Sequence, residues 1–183
     1  MTKPFALALL VGRFQPFHAG HGAMVRTALA LAENVGVLIG SSQESGTVKN
    51  PFSWETRAGL IRKIFGDAVM LAPLADIGVG NTAKWGEYVL RSAEESFGRL
   101  PDLLVSGKEK RRIDWFDNAP GARVAELYIP KSIEISASQM REYFLQNDFE
   151  SWKRFMDPVL WGEFGPLRAC VLAARGHNET QSV

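Results

Sequence analysis

The sequence lacks several features that define other classes of protein. One cysteine, Cys170, occurs in 183 residues, so no intrachain disulfide can form and a reducing compartment is favoured. Neither G-x-G-x-x-G nor G-x-x-x-x-G-K-[ST] occurs, which excludes the standard dinucleotide fingerprint and the P-loop. The apolar run near the start, residues 5–11, is too short to span a bilayer and leads into no small-residue cleavage site. We therefore expect a cytoplasmic protein without a signal peptide.

An excess of charge of one sign is also lacking. The chain has 21 Lys and Arg residues against 20 Asp and Glu residues, with a formal net charge of +1. A polybasic nucleic-acid binder would carry a large positive excess, and an acidic disordered chain a large negative one. Hydrophobic residues make up 46% and charged residues 22% of the sequence, which is typical of a globular domain. We expect neither nucleic acid nor a membrane as a partner.

Runs of apolar residues alternate with helical repeats along the chain. Residues 5–11 and 34–40 are typical of strands buried on both faces, and residues 21–33 between them repeat with helical spacing. This order predicts a βαβ unit with a right-handed crossover. Later strands are predicted at 68–74, 102–106 and 123–129, and later helices at 54–65, 85–97 and 138–145. The alternation predicts an α/β fold, a Rossmann-like open parallel sheet of about five strands with helices on both faces.

The chain reads as one domain with a short appendage. We assign residues 1–175 to the domain and residues 176–183, which have no apolar pattern, to a flexible tail. Pro158 interrupts the helical pattern that runs from Trp152 to Leu160. Because ligands of open parallel sheets bind beyond the carboxyl ends of the strands, the functional site is expected in the loops that follow them.

The loop after the first predicted strand is the richest in chemistry. Two of the three histidines, His18 and His21, lie three residues apart at the start of a helix. A helix N-terminus presents free N–H groups and a partial positive charge, imidazole adds N–H donors, and Arg13 adds a bidentate donor. Three glycines would let a ligand approach the backbone closely: Gly12, Gly20 and Gly22. The loop therefore predicts a phosphate-binding site.

Other interpretations of these residues stay open. The histidines could be zinc ligands, but a structural zinc site takes four N or S ligands and only Cys170 and His177 remain to supply them. They could also be ordinary surface histidines. Phe14 and Phe17 are more often packing residues than ligand contacts.

Three stretches of the sequence resemble a known family. Residues 12–21, Gly-Arg-Phe-Gln-Pro-Phe-His-Ala-Gly-His, resemble the H-x-G-H motif of the nucleotidyltransferase α/β-phosphodiesterase superfamily, in the extended form of the nicotinamide-nucleotide adenylyltransferases. This form is typical of the archaeal-type group and of the adenylyltransferase domain of bifunctional bacterial enzymes. Residues 41–57 are similar to the second loop of that family, and residues 135–141 resemble its I-S-x-[ST]-x-x-R motif.

The resemblance implies a reaction. Members of the family join the 5′-phosphate of nicotinamide mononucleotide (NMN) to the α-phosphorus of ATP, giving NAD and pyrophosphate. The attacking phosphate is already ionised near neutral pH, because its second pKa is about 6. We therefore expect direct in-line attack without a general base or a covalent intermediate, with catalysis by positioning and charge neutralisation. Mg²⁺ is expected on the ATP phosphates, and no protein residues are predicted as metal ligands.

The resemblance also implies roles for individual residues. His18 and His21 would hold the ATP phosphates, with His21 nearest the reacting centre, and Arg13 and Arg141 would act with them in catalysis. Two serines open the helix that carries Arg141, and its N-terminus would bind the β and γ phosphates; from the sequence they are equally well explained as N-caps. The predicted ATP-binding residues are Gly12, Arg13, Phe14, His18, His21, Gly107, Ser136, Ser138 and Arg141.

A second set is implied for the acceptor nucleotide. The predicted NMN-binding residues are Gln15, Lys49, Arg57, Asp76, Asn81 and Trp85. Lys49 and Arg57 would contact its phosphate, and Trp85 would stack on the nicotinamide ring, although Trp85 also fits the apolar face of its helix. The basic run from Lys108 to Arg112 is unusual for the family and receives no role.

Several alternatives stay open. Another acceptor of the same superfamily, such as nicotinate mononucleotide, pantetheine phosphate or a flavin, would use the same fold. A nucleotide-binding regulatory module without turnover is an alternative of another class, which the joint presence of His18, His21, Ser138 and Arg141 disfavours. Assembly into a homo-oligomer is left open by the sequence.

Overall fold

The centre of the molecule is a parallel sheet. A computed structural model describes residues 2–80, 82–107, 115–116 and 123–180. In these residues the strands are β1 (Phe5–Gly12), β2 (Ala32–Ile39), β3 (Met70–Pro73), β4 (Leu103–Ser106) and β5 (Ala125–Tyr128). All neighbouring pairs are parallel, in the order β3-β2-β1-β4-β5. The predicted parallel sheet of about five strands is confirmed.

Helices connect the strands and form the C-terminal part of the chain. In the described residues they are α1 (Ala19–Leu31), α2 (Trp54–Phe65), α3 (Ala83–Phe97), α4 (Ala137–Gln146), α5 (Phe149–Lys153) and α6 (Phe164–Thr180). A 3-10 turn follows α2, and a longer 3-10 segment, Pro158–Glu163, precedes α6. Four of the α-helix starts have side-chain caps, in which Ser53, Thr82, Ser136 and Asp148 each accept a hydrogen bond from a backbone N–H of the first turn.

Both faces of the sheet are covered. Alternate residues of a strand face opposite sides, so Ala8 and Leu10 of β1 pack with α1 and α2, whereas Leu9 packs with Val89 and Ala93 of α3. These residues are all buried. Helices therefore lie on both faces, as predicted, and the continuous apolar runs of β1 and β2 are explained by burial on both sides.

A third apolar cluster joins α4, α5 and α6 to α2. Its centre is Trp152, which is fully buried and contacts the rings of Phe144, Phe149 and Phe164. Arg168 of α6 donates a hydrogen bond to the carbonyl of Phe144 in α4 (Nε to O, 2.9 Å). These contacts hold the C-terminal helices together, and the cluster joins them to α2.

The C-terminal segment differs from the prediction. The pattern around Trp152 divides into α5 and the 3-10 segment at Pro158, because proline cannot donate to the helical ladder. The sequence does not predict α6, whose apolar positions Leu167, Val171 and Ala174 are spaced at three and four residues and are buried. The helix continues to Thr180, so residues 176–180 are helical.

Some predictions fall on residues that the structure does not describe. Asn81 and the basic run Lys108–Arg112 lie outside the described residues, as do residues 181–183. Within the described ranges, no helix combines the length and the apolar composition that a membrane crossing requires.

Candidate active site

The carboxyl ends of the strands meet on one edge of the sheet. The chain runs outward from β1 through β2 to β3 on one side and then crosses to β4 on the other side of β1. The crevice between the loops after β1 and β4 is therefore a topological switch point. The loop after β1 (residues 13–18), the loop after β2 (residues 40–53) and the N-terminus of α4 all reach this edge. The predicted location of the site is therefore the place where the fold leaves a crevice.

The loop after β1 is shaped by its own aromatic rings. Phe14 has a positive φ of 52° and a buried ring. A Cβ atom on Gly12 would lie 2.9 Å from that ring, so glycine at position 12 makes room for Phe14. Phe14 and Phe17 contact each other and His21. Both phenylalanines thus pack inside the loop, and contact of Phe14 with ATP stays a prediction.

The two histidines form one unit at the start of α1. Their rings are stacked with centroids 3.8 Å apart, and the backbone N–H of His18 donates to Nδ1 of His21 (3.3 Å). Because Nδ1 of His21 accepts this bond, the proton of a neutral imidazole is on Nε2. The arrangement therefore fixes the tautomer of His21 and leaves Nε2–H as its donor.

Both histidines are neutral at pH 7 in the free protein. Burial, and then the charge of Lys131, lowers the pKa of His18 from 6.5 to about 4. Burial, and then the charge of His18, lowers the pKa of His21 well below 6.5. Both imidazoles are thus uncharged in the free protein, and the positive charge at this edge of the sheet comes from other residues.

The lowered pKa of His18 predicts a loss of stability in mild acid. Between pH 6.5 and 4 the unfolded chain binds a proton at this imidazole that the folded chain does not, so the free energy of unfolding falls as pH falls. The shift corresponds to roughly 3 kcal/mol at most. We expect urea denaturation at pH 7.5, 5.5 and 4.5 to give a steeper decline for the unmodified protein than for His18→Gln. Equal declines would contradict this prediction, because the carboxylates are common to both chains.

Arg57, a predicted NMN-binding residue, is turned into the protein. Its side chain is fully buried, and it donates to the carbonyls of Arg13 (2.8 Å), Gly40 (2.6 Å), Ser41 (3.2 Å) and Ser53 (3.1 Å). Burial is the main reason that its pKa falls to about 10, so it keeps its charge at neutral pH. Arg57 therefore joins the carboxyl ends of β1 and β2 and holds a positive charge beneath the crevice.

Gln15 is also turned into the protein. It is buried, its Nε2 donates to the carbonyl of Phe52 (2.9 Å), and its Oε1 accepts from the N–H of Phe52 (3.0 Å). Both polar atoms of the amide thus bond to the backbone of one residue of the second loop. Gln15 therefore links the two loops, and its contact with the nucleotide stays a prediction.

Arg141 reaches the first loop from α4. Its guanidinium donates to the carbonyl of Gln15 (2.7 Å) and to Oγ of Ser138 (3.2 Å). Burial, and then the charge of Arg13, lowers its pKa, which places Arg141 and Arg13 near the same point. Ser136 is the N-cap of α4 and accepts from the N–H of Gln139 (3.2 Å). The capping interpretation thus holds for Ser136, whereas the hydroxyl of Ser138 faces the arginine.

The remaining predicted residues lie on the rim. Lys49 is exposed on the second loop, and Gly107 follows β4, where an added Cβ would lie 3.0 Å from the sulfur of Met24 in α1. Asp76 is exposed, and its backbone pairs with the side-chain amide of Gln43, which donates to its carbonyl (3.2 Å) and accepts from its N–H (3.0 Å). Gln43 lies in the second loop, and the motif predicts no role for it.

Trp85 lies in the first turn of α3 and is half-buried. Its ring contacts Tyr88 (centroids 5.5 Å apart) and the edge of the buried Trp115 (6.4 Å). Trp85 is therefore neither a fully buried core residue nor a free surface ring, and its stacking on a ligand stays a prediction.

Three of the predicted cationic site residues have no carboxylate partner in the described part of the chain. Arg13, Lys49 and Arg141 form no salt bridge there; the ion pairs lie elsewhere, at Lys63–Glu163, Arg91–Glu95, Lys131–Glu134 and Lys153–Glu150. Two cavities adjoin the site, one of about 190 Å³ beside His18 and one of about 250 Å³ beside Arg141. The described residues contain no group of three or more His, Cys, Asp or Glu side chains arranged to hold a metal ion.

This fold and this loop pattern define a class of protein. The chain belongs to the cytidylyltransferase-like family, whose model matches residues 9–114, more than half of the chain. It is 40% identical over 110 residues to a protein of Saccharolobus solfataricus named nicotinamide-nucleotide adenylyltransferase, covering 55% of the chain and 63% of the relative. It is 29% identical over 163 residues to a protein of Thermococcus onnurineus with the same name, covering 86% of the chain and 76% of the relative. The chain thus spans less than two thirds of the Saccharolobus protein that it matches.

Solved structures share the fold. A bifunctional NMN adenylyltransferase/ADP ribose pyrophosphatase of Francisella tularensis, complexed with AMP and Mn ion, superposes with a TM-score of 0.76 at 22% identity. The match covers 94% of this chain and 53% of that chain. At this identity the likeness establishes the Rossmann-like α/β architecture.

Proposed function

We propose that this protein transfers the adenylyl group of ATP to nicotinamide mononucleotide, forming NAD and pyrophosphate. The observation that carries the proposal is that the three motif stretches are bonded to one another. Gln15 of the first stretch pairs with Phe52 of the second, and Arg141 of the third donates to the carbonyl of Gln15. Relatives with the name of this activity support the choice of acceptor.

The arrangement suits a reaction that needs donors and positive charge. The acceptor phosphate is ionised near neutral pH and attacks the α-phosphorus directly. In this proposal Nε2–H of His21 donates to an oxygen of the α-phosphate as negative charge develops, while Arg13 and Arg141 neutralise the triphosphate. The rigid loop keeps the two nucleotides in line, which removes much of the entropic cost of their encounter.

We also propose that Mg²⁺ is carried by the ATP phosphates. Mg²⁺ prefers oxygen ligands and keeps several waters, so substrate phosphates supply the usual coordination. A bound Mg²⁺ would contribute Lewis acidity at the phosphate oxygens. The Mn ion and AMP in the Francisella structure are a precedent for a divalent cation with an adenine nucleotide in this fold.

The activity is tested by incubating the full chain with ATP, Mg²⁺ and NMN. We expect NAD and pyrophosphate in equal amounts, and neither product when one substrate is omitted. Nicotinate mononucleotide, pantetheine phosphate and flavin mononucleotide serve as parallel acceptors. Faster turnover with one of these would move the assignment to that acceptor, and no pyrophosphate with any of them would leave a regulatory nucleotide-binding module as the function.

A further inference from the structure

The cavity of about 250 Å³ beside Arg141 is not explained by the roles assigned so far. It lies between α4, α6 and the loop after β2, and its polar lining residues are Ser138, Arg141, Glu142 and Arg175. Val48 of the second loop forms its outer edge and is 47% exposed. Drug-sized ligands occupy pockets of roughly 300–1,000 Å³, so this cavity accommodates a chemical group and not a whole nucleotide.

The charge of the lining favours an anion. Two arginines and one glutamate line the cavity, and the carboxylate of Glu142 already accepts a hydrogen bond from Gln146 (2.9 Å). Neither Arg141 nor Arg175 forms a salt bridge among the described residues. Arg141 uses two of its donors on Gln15 and Ser138, and a guanidinium has five. The site therefore has unused N–H donors on both arginines.

Arg175 is held in position by the packing of α6. Leu167 and Val171, two turns and one turn earlier, are buried in the C-terminal cluster, and Arg168 bonds α6 to α4. Residues four apart on a helix lie on the same face. Arg175 therefore lies on the face of α6 that carries the buried Val171 and that packs against α4. Arg175 lies outside residues 9–114, which the family model matches, and outside the three motif stretches.

We propose that Arg175 binds the distal phosphate of ATP, and of the pyrophosphate product, together with Ser138 and Arg141. All three residues line the same cavity of about 250 Å³. Ser138 and Arg141 belong to α4, whose N-terminus is predicted to bind the β and γ phosphates. The inference rests on the proposed function in taking ATP as the donor. In this role Arg175 contributes to binding of the pyrophosphate leaving group and does not contact the acceptor nucleotide.

The test is pyrophosphate binding by calorimetry, with the full chain and no acceptor present. Arg175→Gln should weaken binding about fivefold to tenfold, the loss of one charge-assisted contact at an exposed site, and should raise the KM of ATP by a similar factor. The KM of NMN should stay unchanged. Arg175→Lys should recover most of the binding because it keeps the charge. Arg62→Gln removes an exposed arginine at the far end of α2 and is the charge-matched control.

Three outcomes would overturn the inference. Unchanged pyrophosphate binding in Arg175→Gln would do so, as would an increase confined to the KM of NMN, which would assign the cavity to the acceptor phosphate. Equal weakening in Arg62→Gln would indicate a general charge effect. If the protein makes no NAD and still binds pyrophosphate in an Arg175-dependent way, the proposed function fails and this phosphate site stands.

Discussion

Replacement of His21 by alanine is expected to lower kcat about 100-fold to 1,000-fold, with a change of less than about fivefold in the KM of ATP. The reason is the geometry of its ring, which is stacked on His18 and contacted by Phe14 and Phe17. A donor fixed in this way requires no reorganisation when charge develops on the α-phosphate. Steady-state kinetics with ATP and NMN measure both parameters.

Two further variants distinguish the Nε2–H donor of His21 from the hydrogen bond that its Nδ1 accepts. Nδ1 of His21 accepts from the backbone N–H of His18, and the side-chain oxygen of asparagine can replace this acceptor without supplying a donor at the position of Nε2. Glutamine can supply that donor. We therefore expect His21→Asn to be as slow as His21→Ala, and His21→Gln to recover at least about tenfold in kcat.

The kinetic pattern decides between catalysis and binding. Equal loss of kcat and of ATP affinity in His21→Ala would remove the transition-state role of this histidine. A His21→Gln variant no faster than His21→Asn would indicate that the shape of the imidazole, and not its Nε2–H donor, is required. Thermal melting of each variant checks that the fold is retained.

Replacement of Arg57 by alanine is expected to lower the free energy of unfolding by about 3–5 kcal/mol. The substitution removes hydrogen bonds to the carbonyls of Arg13, Gly40 and Ser41, and leaves a cavity where a fully buried side chain was. Buried acceptors that lose their donors carry the full cost of desolvation. Urea denaturation measures the change.

The matched control is Arg62→Ala, on the same helix but exposed. It should change the free energy of unfolding by no more than about 0.5 kcal/mol. Arg57→Lys keeps the charge but not the planar fork, so we expect it to recover less than half of the loss. If Arg57→Ala is as stable as Arg62→Ala and instead raises only the KM of NMN, Arg57 contacts the acceptor phosphate and its structural role is wrong.

The sequence predicts the fold well because burial leaves a pattern. The apolar runs of β1 and β2 and the helical repeats of α1, α2 and α3 each record which faces are covered. The same reasoning misses α6, whose three buried positions are interrupted by exposed residues and follow a 3-10 segment. Local pattern alone does not reveal that α6 packs against α4.

The site is predictable in its location but not in the direction of its side chains. His18 and His21 stack at the start of α1, and Arg141 reaches the same loop at Gln15. The side chains of Arg57 and Gln15 are instead hydrogen-bonded to backbone groups of distant loops. The roles of all five toward a ligand stay predictions. A charged or amide residue in a motif has the same letter whether it binds a phosphate or a carbonyl, and only the fold distinguishes the two.

The bond between Arg141 and the carbonyl of Gln15 joins residues that are 126 positions apart. During synthesis from the N-terminus, the histidine loop therefore leaves the ribosome long before the helix that completes the crevice. The early βαβ unit can form through near-neighbour contacts, whereas closure of the site must wait for a long chain segment to return. A truncated or unfinished chain would carry the histidine loop without Arg141, the cation that α4 brings to it.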